Sequence, residues 1–361
     1  NRPKLPKRTR PITRFLIKRA FCVVRLPVSC STLRSHCGSH QRLGSMPGGT
    51  VQRSLRPYHI TEDNTRTNDF KIRARHRVYE GLSKDTQSEW KGPFFFIQAA
   101  DTQFGMIESY IEKKPDPKWD KEIVLTRQAI AAVNRMNPKP SFFVVCGDLI
   151  DAMPGTDLRN AQEDDFRRVM AEMSSEVPLV CVCGNHDIGN EPTPESVRSY
   201  RDTFGDDYFV FWCGGVMCIV INSQYYENST HVRELEQEQS SWLDEQLEEA
   251  KSGGYKHVVV FQHIPWFLRD PGEENEYFNI VLELRQKMLE KFHRAGVRAI
   301  FCGHYHRNAG GFYKDMELVV TSAVGAQLGN DSHGLRIVKL LEDKIQHQYY
   351  KLSEIPETVE L

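Results

Sequence analysis

Five short clusters of oxygen and imidazole donors punctuate the chain. They are Asp101-Thr102-Gln103, Gly147-Asp148-Leu149-Ile150-Asp151, Gly184-Asn185-His186-Asp187, Gln262-His263-Ile264-Pro265 and Gly303-His304-Tyr305-His306. Each stands at or beside the end of an apolar run. Together they hold enough ligands for two neighbouring divalent metals, with a His–Asp pair to spare. Such a set can activate water against a phosphate ester.

Each cluster has its own chemical logic. A lone Asp at a strand end is usually a cap or a turn residue. Asp101 and Asp148 instead stand beside motifs rich in His and Asn, which favours ligation. A carboxylate can bridge two cations and offset their repulsion, and Asp148 is the candidate. Gly147 before it lets the backbone run close to the cluster. Asn185 offers a neutral carbonyl oxygen suited to a hard cation. The neighbouring His186 side chain must diverge from it, which suits His186 to the substrate. Alone, Gly-Asn-His-Asp reads equally well as an ordinary turn. His304 and His306, read as an extended i, i+2 pair, aim both rings to one side as metal ligands would. Pro265 stiffens the turn after His263.

The elements that must position these groups are legible as apolar runs. Strands are expected over 93–100, 142–146, 179–183, 208–212, 216–221, 257–261, 297–302, 317–322, 334–341 and 345–351. Gly214-Gly215 marks a hairpin between two of them. Helices are expected over 121–136, 164–175, 234–250 and 276–294, the last closed by Gly296. Every motif falls at the C-terminal end of a strand, where α/β folds keep their sites. Two mixed sheets with outer helices fit this order better than one doubly wound sheet.

Charge divides the chain. Thirteen of the 47 basic residues and none of the 48 acidic ones lie in 1–60, leaving 34 against 48 beyond it, a formal −14. An acidic domain of this kind is a poor nucleic-acid partner. Residues 1–60 read as a basic tail whose Arg-rich, acid-free composition also fits a transit peptide. Residues 61–90 read as a linker and 91–355 as the catalytic domain. The nine cysteines form no CxxC pair and no even framework, which points to a reducing, cytoplasmic setting. No apolar stretch reaches the ~18 residues of a membrane span.

The five motifs, in this order, resemble the calcineurin-like metallophosphoesterase superfamily. The similarity covers residues 94 to about 350. The flanking text is similar to a branch of protein serine/threonine phosphatases: Ser88-Glu89-Trp90-Lys91-Gly92-Pro93, Asn190-Glu191-Pro192-Thr193, Gly205-Asp206-Asp207-Tyr208-Phe209, Asn222-Ser223-Gln224 and Arg307-Asn308-Ala309-Gly310-Gly311. The resemblance implies a four-layer α/β/β/α sandwich with two mixed sheets. It implies two divalent metals (Mn2+, Fe2+/3+, Mg2+ or Zn2+). Asp101 and His306 would hold the first, Asn185, His263 and His304 the second, and Asp148 both. His186, oriented by Asp151, would protonate the leaving alkoxide. Gln103 stands where the family usually has His, which implies a harder first site favouring Mn2+ or Mg2+. Arg307 is a candidate phosphate contact, or equally a surface cation. The implied partner is a phosphoprotein substrate, with neither nucleic acid nor membrane. The competing expectations are a phosphodiesterase or nucleotide hydrolase on the same site, and a non-catalytic interaction module.

Overall fold

Thirteen strands build the chain's two sheets in the computed structural model, which describes residues 70–361. The basic segment 1–60 and its transit-peptide reading lie outside the described residues. The strands are β1 (Ala74–Arg75), β2 (Val78–Tyr79), β3 (Phe94–Ala99), β4 (Phe143–Val145), β5 (Leu179–Cys181), β6 (Phe209–Cys213), β7 (Val216–Val220), β8 (His257–Phe261), β9 (Val297–Cys302), β10 (Ala309–Tyr313), β11 (Met316–Val320), β12 (Gly334–Leu340) and β13 (Ile345–Lys351). One sheet runs β13-β12-β3-β4-β5 and the other β1-β2-β6-β7-β8-β9-β11-β10. The pairs β3–β4 and β4–β5 are parallel, as are β7–β8, β8–β9 and β9–β11. Both sheets are mixed.

Alternation along β3 shows how two faces are buried at once. Phe95 and Ile97 join one apolar cluster and Phe96 another, the period-2 consequence of a pleated strand. Phe96 belongs to the layer between the sheets. There it stacks on Phe142 at 4.6 Å and meets Phe261 and Phe301 edge-on at 5.5 and 5.3 Å. The opposite face of the five-stranded sheet shares a core with helices Asp120–Arg135, Arg159–Met170 and Pro194–Phe204. Helices Arg233–Ser252 and Leu282–Arg294 do the same for the eight-stranded sheet. The result is the expected four-layer α/β/β/α sandwich. Among the described residues no helix is long and apolar enough to cross a membrane.

Two sequence expectations need correction, and one helix escapes the sequence reading. Residues 70–90 are not linker: β1, β2 and the helix Lys84–Gln87 lie there, and Ala74, Tyr79 and Leu82 are buried in the inter-sheet core. Tyr79 also donates its hydroxyl to the Leu179 carbonyl at 2.7 Å, tying one sheet to the other. The charges interspersed among these few apolar residues hid them from a periodicity argument. The last long helix begins at Leu282, and 276–281 is loop, with Val281 44 % exposed. Helix Pro194–Phe204 was not anticipated, although Thr193 caps it through the Ser196 N–H and Pro194 opens it, both recognised start signals.

A single π turn, Ile107–Ile111, follows the first motif. The buried Glu122 carboxylate accepts the Ile107 N–H at 2.7 Å, while its other oxygen has no partner. Burial pushes Glu122 up to about 7. Because the folded pKa lies above the unfolded value, stability falls as pH rises from about 4.5 to about 7. Glu122→Gln is therefore expected to gain on the order of 2 kcal/mol over the parent at pH 8 and nothing at pH 4, read from urea unfolding at the two pH values. Tyr79→Ala is expected to lose about 3–5 kcal/mol. A loss under about 1 kcal/mol, within reach of a surface change, would return 70–90 to the status of a linker.

Candidate metal centre

The strand tips of both sheets meet at one seam. From the five-stranded sheet, β3 leads to Asp101, β4 to Asp148 and β5 to Asn185. From the other, β8 leads to His263 and β9 to His304 and His306. The incoming loops are knitted by their main chains: Asp101 N donates to Gly147 O, Gln103 N to Asp148 O, and Gly303 N to His263 O, at 3.0, 3.0 and 3.1 Å. Asp148, His263 and His304 bring one ligand atom each within 4.8 Å of one another, and so do Asp101, Asp148 and His306. Asp148 is common to both groups. Asn185 joins the first, its Oδ1 lying 3.0 Å from His263 Nε2 while its amide nitrogen is held by Asn190.

Each imidazole is aimed by a backbone carbonyl. His263 Nδ1 donates to Cys146 O at 2.8 Å, His306 Nδ1 to Ala326 O at 2.6 Å, and His304 Nε2 to Tyr277 O at 3.3 Å. The carbonyl fixes the tautomer and leaves the opposite nitrogen for the cluster, the usual support of a metal-ligating histidine. His263 Nε2 thus lies 3.3 Å from Asp148 Oδ2 and 3.1 Å from His304 Nδ1.

The backbone here is left-handed, not extended. Asp101, Gln103, Asp148, His304 and His306 have φ of 51°, 36°, 49°, 68° and 52°. The reading of His304 and His306 as an extended pair is corrected: they converge through two successive excursions into the αL region. Each such residue costs about 1 kcal/mol or more, and strain of this kind gathers at functional sites. Glycine makes the crowding possible. A Cβ on Gly147, itself at φ +83°, would fall 2.3 Å from the His263 ring, and one on Gly184 would fall 2.2 Å from Asp148 N.

The charges are unbalanced by the protein alone. Burial pushes the Asp101 carboxyl well above its ordinary range despite the pull of His263. Burial acts on Asp148 too, but His263 and His186 outweigh it and hold it low. Burial would lower His263, yet Asp148 and Asp101 reverse that and raise it to about 9, a measure of how strongly the two carboxylates call for positive charge at this spot. Burial lowers His304 to about 3 and His306 to about 4, which keeps both neutral, the ligating form. Buried carboxylates and neutral imidazoles converging on shared points are the donor set of divalent cations. Gln103 fits as well: its Oε1 is buried without a hydrogen-bond partner.

His186 and Asp151 are brought together, though not as expected. The closest contact of His186 Nδ1 is the Asp151 carbonyl at 2.6 Å, with the carboxylate at 3.5 Å. That carboxylate is held by Ser109 Oγ at 2.7 Å and Gln103 Nε2 at 3.3 Å. Arg307 is not brought in. Its guanidinium donates to the Tyr305 and Leu328 carbonyls and lies over the Tyr305 ring, and it does not line the pocket over the cluster. Sequence reasoning missed Arg159, which donates to the carbonyls of Ala152, His186 and Asp187, and the carboxylate of Asp187, which accepts Leu149 N and Gly184 N. Asp187 sits inside a recognised motif. Arg159 gives only a helical i, i+4 pair with Glu163.

A pocket of about 580 Å3 opens over the cluster, lined by His186, Asp148, His304 and His306 among others. A cleft of about 930 Å3 lies beside it and shares Met153, but none of the cluster's donors lines it.

Residues 96–308 match the calcineurin-like phosphoesterase family. The chain is 50 % identical over 288 residues to the serine/threonine-protein phosphatase CPPED1 of Bos taurus, covering 79 % of this chain and 92 % of the relative. The Homo sapiens CPPED1 is also 50 % identical, over 289 residues, with the same two shares. Among solved structures, a dimetal phosphatase from Danio rerio shares the fold with a TM-score of 0.53 at 19 % identity, covering 73 % of this chain and 98 % of that one. The chain belongs to the calcineurin-like phosphoesterase family.

Proposed function

We propose that this chain is a metal-dependent phosphomonoester hydrolase acting on phosphoserine and phosphothreonine in proteins. The observation that carries the reading is the pair of donor groups joined at Asp148, each imidazole pinned by a carbonyl. The relatives' phosphatase names point the same way. Asp101, His306 and Gln103 Oε1 would hold one divalent cation, Asn185, His263 and His304 another, with Asp148 touching both. When bound, such cations would supply charge for the phosphoryl oxygens and lower the pKa of water. The catalytic unit includes the segment from Phe70, whose ring packs against Phe166 and Phe204.

The protein's own groups set the remaining chemistry. The Asp151 carbonyl keeps a proton on His186 Nδ1, so Nε2 is the nitrogen that serves the pocket. In the imidazolium form Nε2–H can donate to the departing serine or threonine oxygen. Asp148 accepts the His186 N–H at 2.8 Å and thereby fixes the distance between acid and cluster. The phosphoryl group needs no covalent partner, since positioning and charge carry most of such a transfer.

His186→Ala is expected to cut kcat on a phosphoserine peptide by about 10²–10⁴-fold. Asp151→Asn keeps the carbonyl and is expected to cost only about tenfold, the worth of one polar contact. A His186→Ala protein as active as its parent would remove the proposed acid. Metal analysis is expected to find about two divalent ions per chain, and Asp148→Asn should reduce both. Loss of only one would sink the bridging role. Turnover of bis-p-nitrophenyl phosphate above that of the phosphopeptide would move the assignment to diesters.

A further inference from the structure

The pocket wall contains more than phosphate chemistry requires. No Lys or Arg is among its described lining residues, and its carboxylates are Asp148 and Asp151. The rest of the wall includes Met106, Tyr110, Met153, Tyr277, Phe278 and Leu328. Tyr110 is 62 % and Tyr277 64 % exposed, and two of the three exposed aromatic side chains among the described residues therefore stand at this one mouth. Large apolar rings left in water beside a pocket mark a binding surface.

Both rings sit on braced backbone. Tyr110 lies in the π turn held at Ile107 by Glu122 and at Ser109 by Asp151. π turns of this kind are frequent at functional sites. Tyr277 and Phe278 lie in a loop whose Glu273 carboxylate accepts the N–H groups of Leu268 and Arg269 and the Asn279 amide. The buried Arg285 clamps the same loop through the carbonyls of Ile280 and Glu273. Phe278 meets His304 and Tyr305 edge-on at 5.6 and 5.1 Å. Backbone braced this way lowers the ordering cost of binding.

We propose that Tyr110, Tyr277 and Phe278 form a clamp for a large apolar side chain, above all an aromatic one, next to the phosphorylated serine or threonine. Substrates of this site are then phosphopeptide segments with an aromatic or large aliphatic neighbour. Acidic flanks are disfavoured, because the wall beyond the phosphate site offers no Lys or Arg to pair with them and already carries Asp151. The proposal rests on the protein phosphatase reading above and narrows it.

The test is a series of phosphoserine peptides identical except for the two residues flanking the phosphoserine, set to Phe, Leu, Ala or Glu. Mn2+-dependent phosphate release gives kcat/KM for each. The Phe peptide is expected to exceed the Ala peptide by about 3- to 10-fold, through KM, which is the worth of one aromatic contact. The Glu peptide is expected to fall below Ala. In Tyr110→Ala/Tyr277→Ala the Phe-to-Ala ratio should drop toward one, and in Tyr110→Phe/Tyr277→Phe it should persist. If the double alanine variant does not fold, the parent series decides alone. Hydrolysis of all four peptides without preference overturns the clamp and leaves the phosphatase reading standing. No hydrolysis of any peptide, with p-nitrophenyl phosphate still turned over, overturns both.

Discussion

A buried carboxylate is the constraint around which this molecule is organised. Asp148 is almost fully buried, at 2 % exposure, and lies between two groups of donors, each drawn from both sheets. An unpaired ion in that position is costly, so positive charge must be gathered to it. The His263 ring lies against it and the His186 backbone N–H adds a dipole. The rest of the donor set suits divalent cations. The two sheets must therefore keep their strand tips in register with each other, since a slip at the seam separates Asp101 and Asp148 from His263 and His306.

The inter-sheet layer enforces that register. Stacked and edge-on phenylalanines from β3, β4's lead-in, β8 and β9 fill it. Close to the seam, Gln98 donates across the gap to Cys302 O at 3.1 Å. This packing offsets the left-handed residues at the site. Five αL residues in three loops would not persist on a free chain, but the main-chain bonds between loops and the buried Arg159 hold them.

The donors of the cluster were readable because their chemistry is rare and their lead-ins are apolar. Asp101, Asp148, Asn185, His263, His304 and His306 all end or follow short buried strands, where type and position both speak. The two-sheet architecture followed from strand runs interrupted by helices. What escaped was set by tertiary contact. Nothing local marks Tyr277 as a wall residue, because its place depends on Arg285 and Glu273 bonding the loop it lies in. Arg307 read as a phosphate contact by its neighbourhood in the chain, yet its guanidinium is held by two carbonyls and a ring. The conformation of His304 and His306 was misjudged because spacing alone does not distinguish an extended pair from two left-handed turns. The segment 70–90 was misjudged because Tyr79 and Leu82 are isolated apolar residues with no period.

That same segment has a bearing on self-association. β2 runs parallel to β6 through Val78 and Val210. Carbonyls of Arg77, Leu82 and Gln87 accept the N–H groups of Val210, Trp212 and Gly215 at 3.1, 3.0 and 2.8 Å. They cap the outer rim of β6, which would otherwise be a bare edge. A chain trimmed to begin near Trp90 would keep every donor of the metal cluster and lose this cover. Its exposed rim of apolar strand would template pairing with a second molecule, so oligomers and precipitate would announce the loss before any defect in hydrolysis did.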